Sequence, residues 1–186
     1  METSVRWCDW QGDGLEHCTY RCDDRGLVLE GVTAGTREGW YGVHYLVRTD
    51  AAFRTREVRV AYVASLSLHV EADGQGQWRD LISKRSLPLL DGCLDVDIGV
   101  TPATNTLPIK RLGLREQESK DIRVAYVPLP SEVESDFLPR PADQRYTCLT
   151  PGQRYRYEGL FRSFVAELEV DEFSLVRDYP DTFRRI

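Results

Sequence analysis

Long apolar runs are missing from this 186-residue chain, and none approaches the roughly 18 residues that a membrane-spanning helix needs. The opening METSVRWCDWQGDG has no charged start followed by an apolar core, so no secretory leader is expected. Lysine is scarce, with only Lys84, Lys110 and Lys120. The positive charge therefore rests on arginine, whose planar fork suits carboxylates, phosphates and sugar hydroxyls. Composition bias explains the same preference without function. Basic residues number 24 against 30 acidic ones, for a net charge of -6. That balance lacks the basic face that nucleic acid requires. The five cysteines are odd in number and irregular in spacing, which excludes a disulfide framework and points to free thiols in a reducing cytoplasm.

Catalytic signatures are also missing. There is no nucleophile elbow, P-loop or dinucleotide fingerprint. His17, Cys18 and Cys22 look like metal ligands, but on a strand the two cysteines stand about 13 Å apart, so no metal and no cofactor are expected. His17, His44 and His69 are scattered and read as incidental.

Period-two alternation is abundant. Val58-Val60-Tyr62-Ala64, Leu66-Leu68-Val70-Ala72 and Phe164-Ala166-Leu168-Val170 each put apolar residues on one strand face. Further strands are expected near Glu16–Arg21, Leu27–Ala34, Tyr41–Thr49, Leu94–Ile98, Ile122–Leu129, Arg145–Thr150 and Arg154–Leu160. Turn signals at Gly12-Asp13-Gly14, Asp24-Arg25-Gly26, Asp73-Gly74, Asp91-Gly92 and Pro151-Gly152 separate these runs. Many short strands and few helices predict a mainly β fold, with an antiparallel sheet rolled or sandwiched. One helix is expected from Thr101, with Thr101 as N-cap, Pro102 at the first position, and Pro108 kinking it after about two turns. A second is expected from Ser131, where Glu134 completes a capping box. The chain reads as a single domain over residues 1–186.

The richest segment is Leu89–Leu114, LLDGCLDVDIGVTPATNTLPIKRLGL. Asp95 and Asp97, two apart on a strand, point to one face about 7 Å from each other. Carboxylates so spaced fit general acid–base glycoside hydrolysis or a metal, and equally fit ion pairs with arginines such as Arg111. Asp95-Val96-Asp97 partly matches the opening of haloacid-dehalogenase-like phosphatases, but Gly99 breaks the motif and the required α/β domain is not predicted. A calcium loop fails at Val100 and Thr106. The aromatics Trp7, Trp10, Trp40, Tyr41, Tyr45, Trp78, Tyr155 and Tyr157 could line a cavity for an amphipathic ligand or fill the core.

Several segments carry a family resemblance. They include Gly14–His17, Leu29-Glu30-Gly31, Tyr45–Asp50, Trp78-Arg79-Asp80, Leu90–Asp97, Thr101–Leu114, Gln144-Arg145-Tyr146 and Asp178–Arg185. In order and over essentially the whole chain, the sequence resembles a bacterial family called putative glycolipid-binding proteins. Phe53 stands where that family's pattern has tryptophan. The resemblance implies a spiral β-roll, a large and mostly antiparallel sheet wrapped around a single α-helix, assembled as a homodimer. It implies no catalytic residues. The leading expectation is a non-enzymatic cytoplasmic protein that holds a lipid or glycolipid in the roll, with no nucleic-acid partner and no integral membrane segment. Candidate ligand contacts are Trp40, Tyr45, Trp78, Asp95, Asp97, Asn105, Arg111 and Tyr146. The alternatives are a glycoside- or glycolipid-modifying enzyme using Asp95 and Asp97, and a dimeric structural or interaction protein.

Overall fold

The computed structural model describes every residue except Ser65, Glu134 and Arg162. The chain is mainly β. Its larger sheet is an antiparallel meander built from β1 (Glu2–Asp9), β2 (Leu15–Asp23), β3 (Gly26–Gly35), β4 (Tyr41–Thr49), β5 (Thr55–Tyr62), β6 (Ser67–Ala72) and β7 (Trp78–Asp80). The chain then forms β8 (Asp95–Ile98), the helix α1 (Thr106–Leu112), β9 (Ser119–Val127), β10 (Arg140–Thr150), β11 (Arg154–Gly159) and β12 (Phe164–Glu169). A terminal hairpin, β13 (Asp178–Tyr179) and β14 (Phe183–Arg185), returns to the first strand. The order is β13-β14-β1-β2-β3-β4-β5-β6-β7 in the larger sheet and β12-β11-β10-β9-β8 in the smaller, curled one. Only the β8–β9 pairing is parallel among the named strand pairs. This is the roll that the alternation and the resemblance predict, with one short α-helix.

The alternation explains which face is buried. Leu27, Leu29, Val47, Val58, Val60, Leu68 and Val70 all point inward, and Val96 and Ile98 join them from β8. Each fully buried aliphatic of this kind contributes about 1.5–3 kcal/mol. A second cluster, with Tyr146, Tyr155, Tyr157, Ala166 and Leu168, belongs to the smaller sheet. The helix connects the two, because Leu107 packs in the first cluster and Ile109 in the second.

The helix starts later than the sequence predicts. Residues Ala103–Asn105 form a 3-10 turn before α1 begins at Thr106. Thr101 is not the N-cap of either: Pro102 precedes the 3-10 turn and Asn105 precedes α1, while the Thr101 Oγ1 accepts the Ala103 N–H at 3.0 Å. Pro108 consequently falls within the first turn of α1, where a proline costs no internal hydrogen bond, and the expected kink is replaced by a helix that continues to Leu112. Gly113, at φ 54°, ends it in the left-handed region. In place of the second expected helix there is a 3-10 turn, Pro130–Glu132, in which the Glu132 carboxylate accepts the Leu129 N–H at 3.0 Å. The predicted partner Glu134 lies outside the described residues. Pairing across the chain added β1, β7, β13 and β14, which the periodicity did not indicate.

Candidate functional site

A cavity of about 290 Å³ lies where the ends of the two sheets meet. Its polar side is made of Asp97 and Gly99 at the end of β8, Thr101 and Asn105 before the helix, and Arg37 from the β3–β4 loop. Its apolar side is made of Tyr126, Tyr157, Phe161, Phe164, Tyr179 and Phe183. These rings support one another. Tyr157 meets Phe164 at 6.2 Å and Tyr179 at 6.0 Å between centroids, Phe164 meets Tyr179 at 5.9 Å, and Tyr179 meets Phe183 at 6.3 Å. Tyr126 and Phe161 form a second pair at 5.5 Å. Tilted and edge-on arrangements of this sort add to burial and hold the ring planes in place.

Backbone design makes the room. A side chain at Gly99 would stand 2.7 Å from the Tyr126 hydroxyl oxygen, so glycine there lets the tyrosine close over the strand. Tyr126 donates from its hydroxyl to Glu132 at 2.9 Å. Arg37 is anchored twice, donating to the Gly99 carbonyl at 2.6 Å and lying over the Phe183 ring at 5.2 Å. Asp97 accepts from Gln144 Nε2 at 2.7 Å and from the Thr104 hydroxyl at 3.3 Å. Asn105 donates to the Pro102 carbonyl and accepts the Tyr146 hydroxyl at 2.8 Å. The polar groups are therefore preorganised by neighbours behind the wall.

Behind Thr101 is a buried carboxyl. Glu16 Oε1 accepts from Tyr45 at 2.5 Å and from Thr101 at 2.6 Å. Its other oxygen, Oε2, has no partner among the described residues. Burial pushes this carboxyl up to about 7, against the two hydroxyl hydrogen bonds that pull it down. The Tyr45 ring lies flat against Gly31 of the neighbouring strand, where a Cβ would come within 2.5 Å of it.

The residues anticipated from sequence are divided by the fold. Asp97 and Asn105 line the cavity, and Tyr146 and Tyr45 stand one hydrogen bond behind it. Asp95 is fully buried and faces Arg111, which grips it through Nε at 2.9 Å and Nη2 at 2.6 Å. Burial raises the Asp95 carboxyl above its ordinary value, and the Arg111 fork opposes that rise. Asp95 and Asp97 therefore do not converge on one open cleft. Trp78 is buried at the other end of the larger sheet, donating its indole N–H to the Cys93 carbonyl at 2.9 Å. Trp40 is 94% exposed on the β3–β4 loop. All five cysteines are free. The lining residues that sequence reasoning did not select include Arg37, Tyr126, Phe161, Phe164, Tyr179, Thr182 and Phe183. For the last three the signal lay in the terminal motif Asp178–Arg185, whose two aromatics flank a tight turn.

No helix among the described residues is long and apolar enough to cross a membrane. No curated protein matches the chain. A DUF1089 family protein of known crystal structure from Pseudomonas aeruginosa is 38% identical, superposes with a TM-score of 0.77, and matches over 93% of this chain and 92% of its own. The family model described as "Putative glycolipid-binding" matches residues 4–185, and the chain belongs to that family.

Proposed function

We propose that this protein binds the sugar-bearing head of a glycolipid, without covalent chemistry, in the aromatic cavity at the seam of the two sheets. The observation that carries this reading is the division of one cavity into an aromatic wall and a polar floor. A sugar ring has the matching division, with C–H faces that pack on aromatic rings and hydroxyls that meet carboxylate, amide and guanidinium groups. The volume sets the scale. About 290 Å³ is at the small end of ligand sites, suited to one ring and its substituents and not to a pair of acyl chains. The inner face of the larger sheet is packed with Trp7, Tyr20, Tyr45, Leu27 and Leu29, so the acyl part is assigned to the outside of the cavity. The cytoplasmic, homodimeric form belongs to the same proposal. Five uncrosslinked thiols support the compartment, and size-exclusion chromatography with light scattering tests the dimer.

The direct test is titration with soluble glycosides, monitored by calorimetry and by NMR shifts of Tyr157 and Tyr179. Saturable binding is expected. Asp97→Asn should weaken it about tenfold, as expected for one charge-assisted hydrogen bond. Absence of binding across neutral, amino and acidic glycosides would remove the proposal.

A further inference from the structure

The two ends of the larger sheet have opposite surfaces. At the far end the turns are charged, with Asp24 and Arg25 after β2, Asp50 and Arg54 after β4, Asp73 after β6 and Asp91 beside the last of these, and Arg25 and Arg54 pair with Asp23 and Asp50. At the end that carries the cavity, large apolar side chains stand in solvent. They are Trp10 (39% exposed), Leu15 (49%), Trp40 (94%), Val63 (76%), Leu160 (43%) and Phe161 (40%).

Five of these sit on loops tied to the cavity, and Leu15 opens β2. Trp10 donates its backbone N–H to the Thr182 carbonyl, and Thr182 lines the cavity. Trp40 shares its loop with Arg37, which lines it too. Val63 is bonded to Gly42, two residues beyond Trp40. Leu160 and Phe161 form the turn between β11 and β12, and Phe161 is part of the wall. The β3–β4 loop is held, since Glu38 accepts from the Ser131 hydroxyl at 2.8 Å. Single exposed apolar residues are ordinary on any protein, but a concentration of them at one end is not.

We propose that this apolar end is a docking surface for a lipid bilayer, with Trp40 and Leu160 entering the headgroup layer and the cavity mouth held over it. The inference rests on the reading of the cavity as a glycolipid headgroup site. Separate projecting tips suit a deformable surface better than a rigid protein partner. Tryptophan favours the water–membrane interface because one edge of its ring is apolar and the other donates a hydrogen bond. The charges at this end are mainly acidic, Asp13, Glu38 and Asp181 against Arg37. An anionic bilayer would be repelled, so the matching surface is zwitterionic or glycolipid-rich.

Co-sedimentation with phosphatidylcholine vesicles, with and without galactosyl-diacylglycerol, tests the surface. Brominated phosphatidylcholine reports depth by quenching tryptophan fluorescence. The wild-type chain should partition onto both vesicles, more strongly with the glycolipid, and with little dependence on salt. Trp40→Ala should weaken partitioning about tenfold and remove most of the quenching. Leu160→Ser should act in the same direction. Leu89→Ser, at the 79% exposed Leu89 of the far end, should change nothing. Binding of a soluble glycoside should survive in Trp40→Ala. If the wild-type chain ignores both vesicles, or if Trp40→Ala and Leu160→Ser partition like wild type, the docking surface is wrong even where glycosides bind. If partitioning depends on Trp40 while no glycoside binds, the surface stands and the cavity reading falls.

Discussion

Glu16 is a carboxyl in surroundings that its type avoids. It is fully buried, its carboxyl is raised to about 7, and it holds Thr101 and Tyr45 through one oxygen. In the unfolded chain it titrates near the ordinary glutamate value. The folded protein thus binds a proton that the unfolded chain releases between those two values. Stability from this group is full below about pH 4.5 and falls as pH rises towards 7, by about 3 kcal/mol in total. Glu16→Gln should flatten that decline, as read by urea unfolding at a series of pH values. Asp95 and Arg111 give the opposite case, a buried pair. Removing Arg111 alone, as in Arg111→Ala, leaves a carboxylate without its partner and should cost about 3–5 kcal/mol. Asp95→Asn combined with Arg111→Met should cost less than the sum of the two single changes, which a double-mutant cycle measures. The sequence placed both aspartates on one face, and that is correct, since Val96 and Ile98 face the core. The sequence also named Arg111 as an ion-pair partner, and it pairs with Asp95; what it did not show is that Gln144 and Thr104 claim Asp97.

Among elements, the strands were legible and the helix was less so. Alternation is a local signal, and it located β2 to β6, β8 and β9 to β12 because one face of each is buried. The short strands β7, β13 and β14 owe their existence to a partner, and three residues such as Phe183–Arg185 carry no period to read; β1 is longer, but only Val5 and Trp7 alternate in it. The helix was shifted because Thr101-Pro102 satisfies the rules for a helix start, but the chain makes a 3-10 turn from Ala103 before α1. Two element-level changes test this account. Leu107→Ala should cost about 2–5 kcal/mol, because Leu107 fills the contact between α1 and the larger sheet. Gly31→Ala should cost about 1–3 kcal/mol by pushing the Tyr45 ring off its place between β3 and β4. A rise in near-ultraviolet circular dichroism change without loss of the far-ultraviolet signal would locate that effect at the ring.

On the scale of the whole molecule, the candidate site is assembled from distant parts of the chain: Arg37 near the start, Asp97 to Asn105 in the middle, Tyr157 to Phe164 later, and Tyr179 to Phe183 at the end. That scatter is why the sequence disclosed half of the polar floor and little of the aromatic wall. Sequence spacing shows what one strand can bring together, and this cavity is made by sheets closing on each other. The terminal hairpin has a further consequence. β14 completes the larger sheet beside β1, with Trp7 opposite Arg185, and Phe183 supplies a wall of the cavity. Until β14 is in place, β1 has an open outer edge and the cavity lacks one wall, so closing the sheet and finishing the cavity are the same event. A chain lacking Asp178–Arg185 should present an unpaired β1 edge and aggregate.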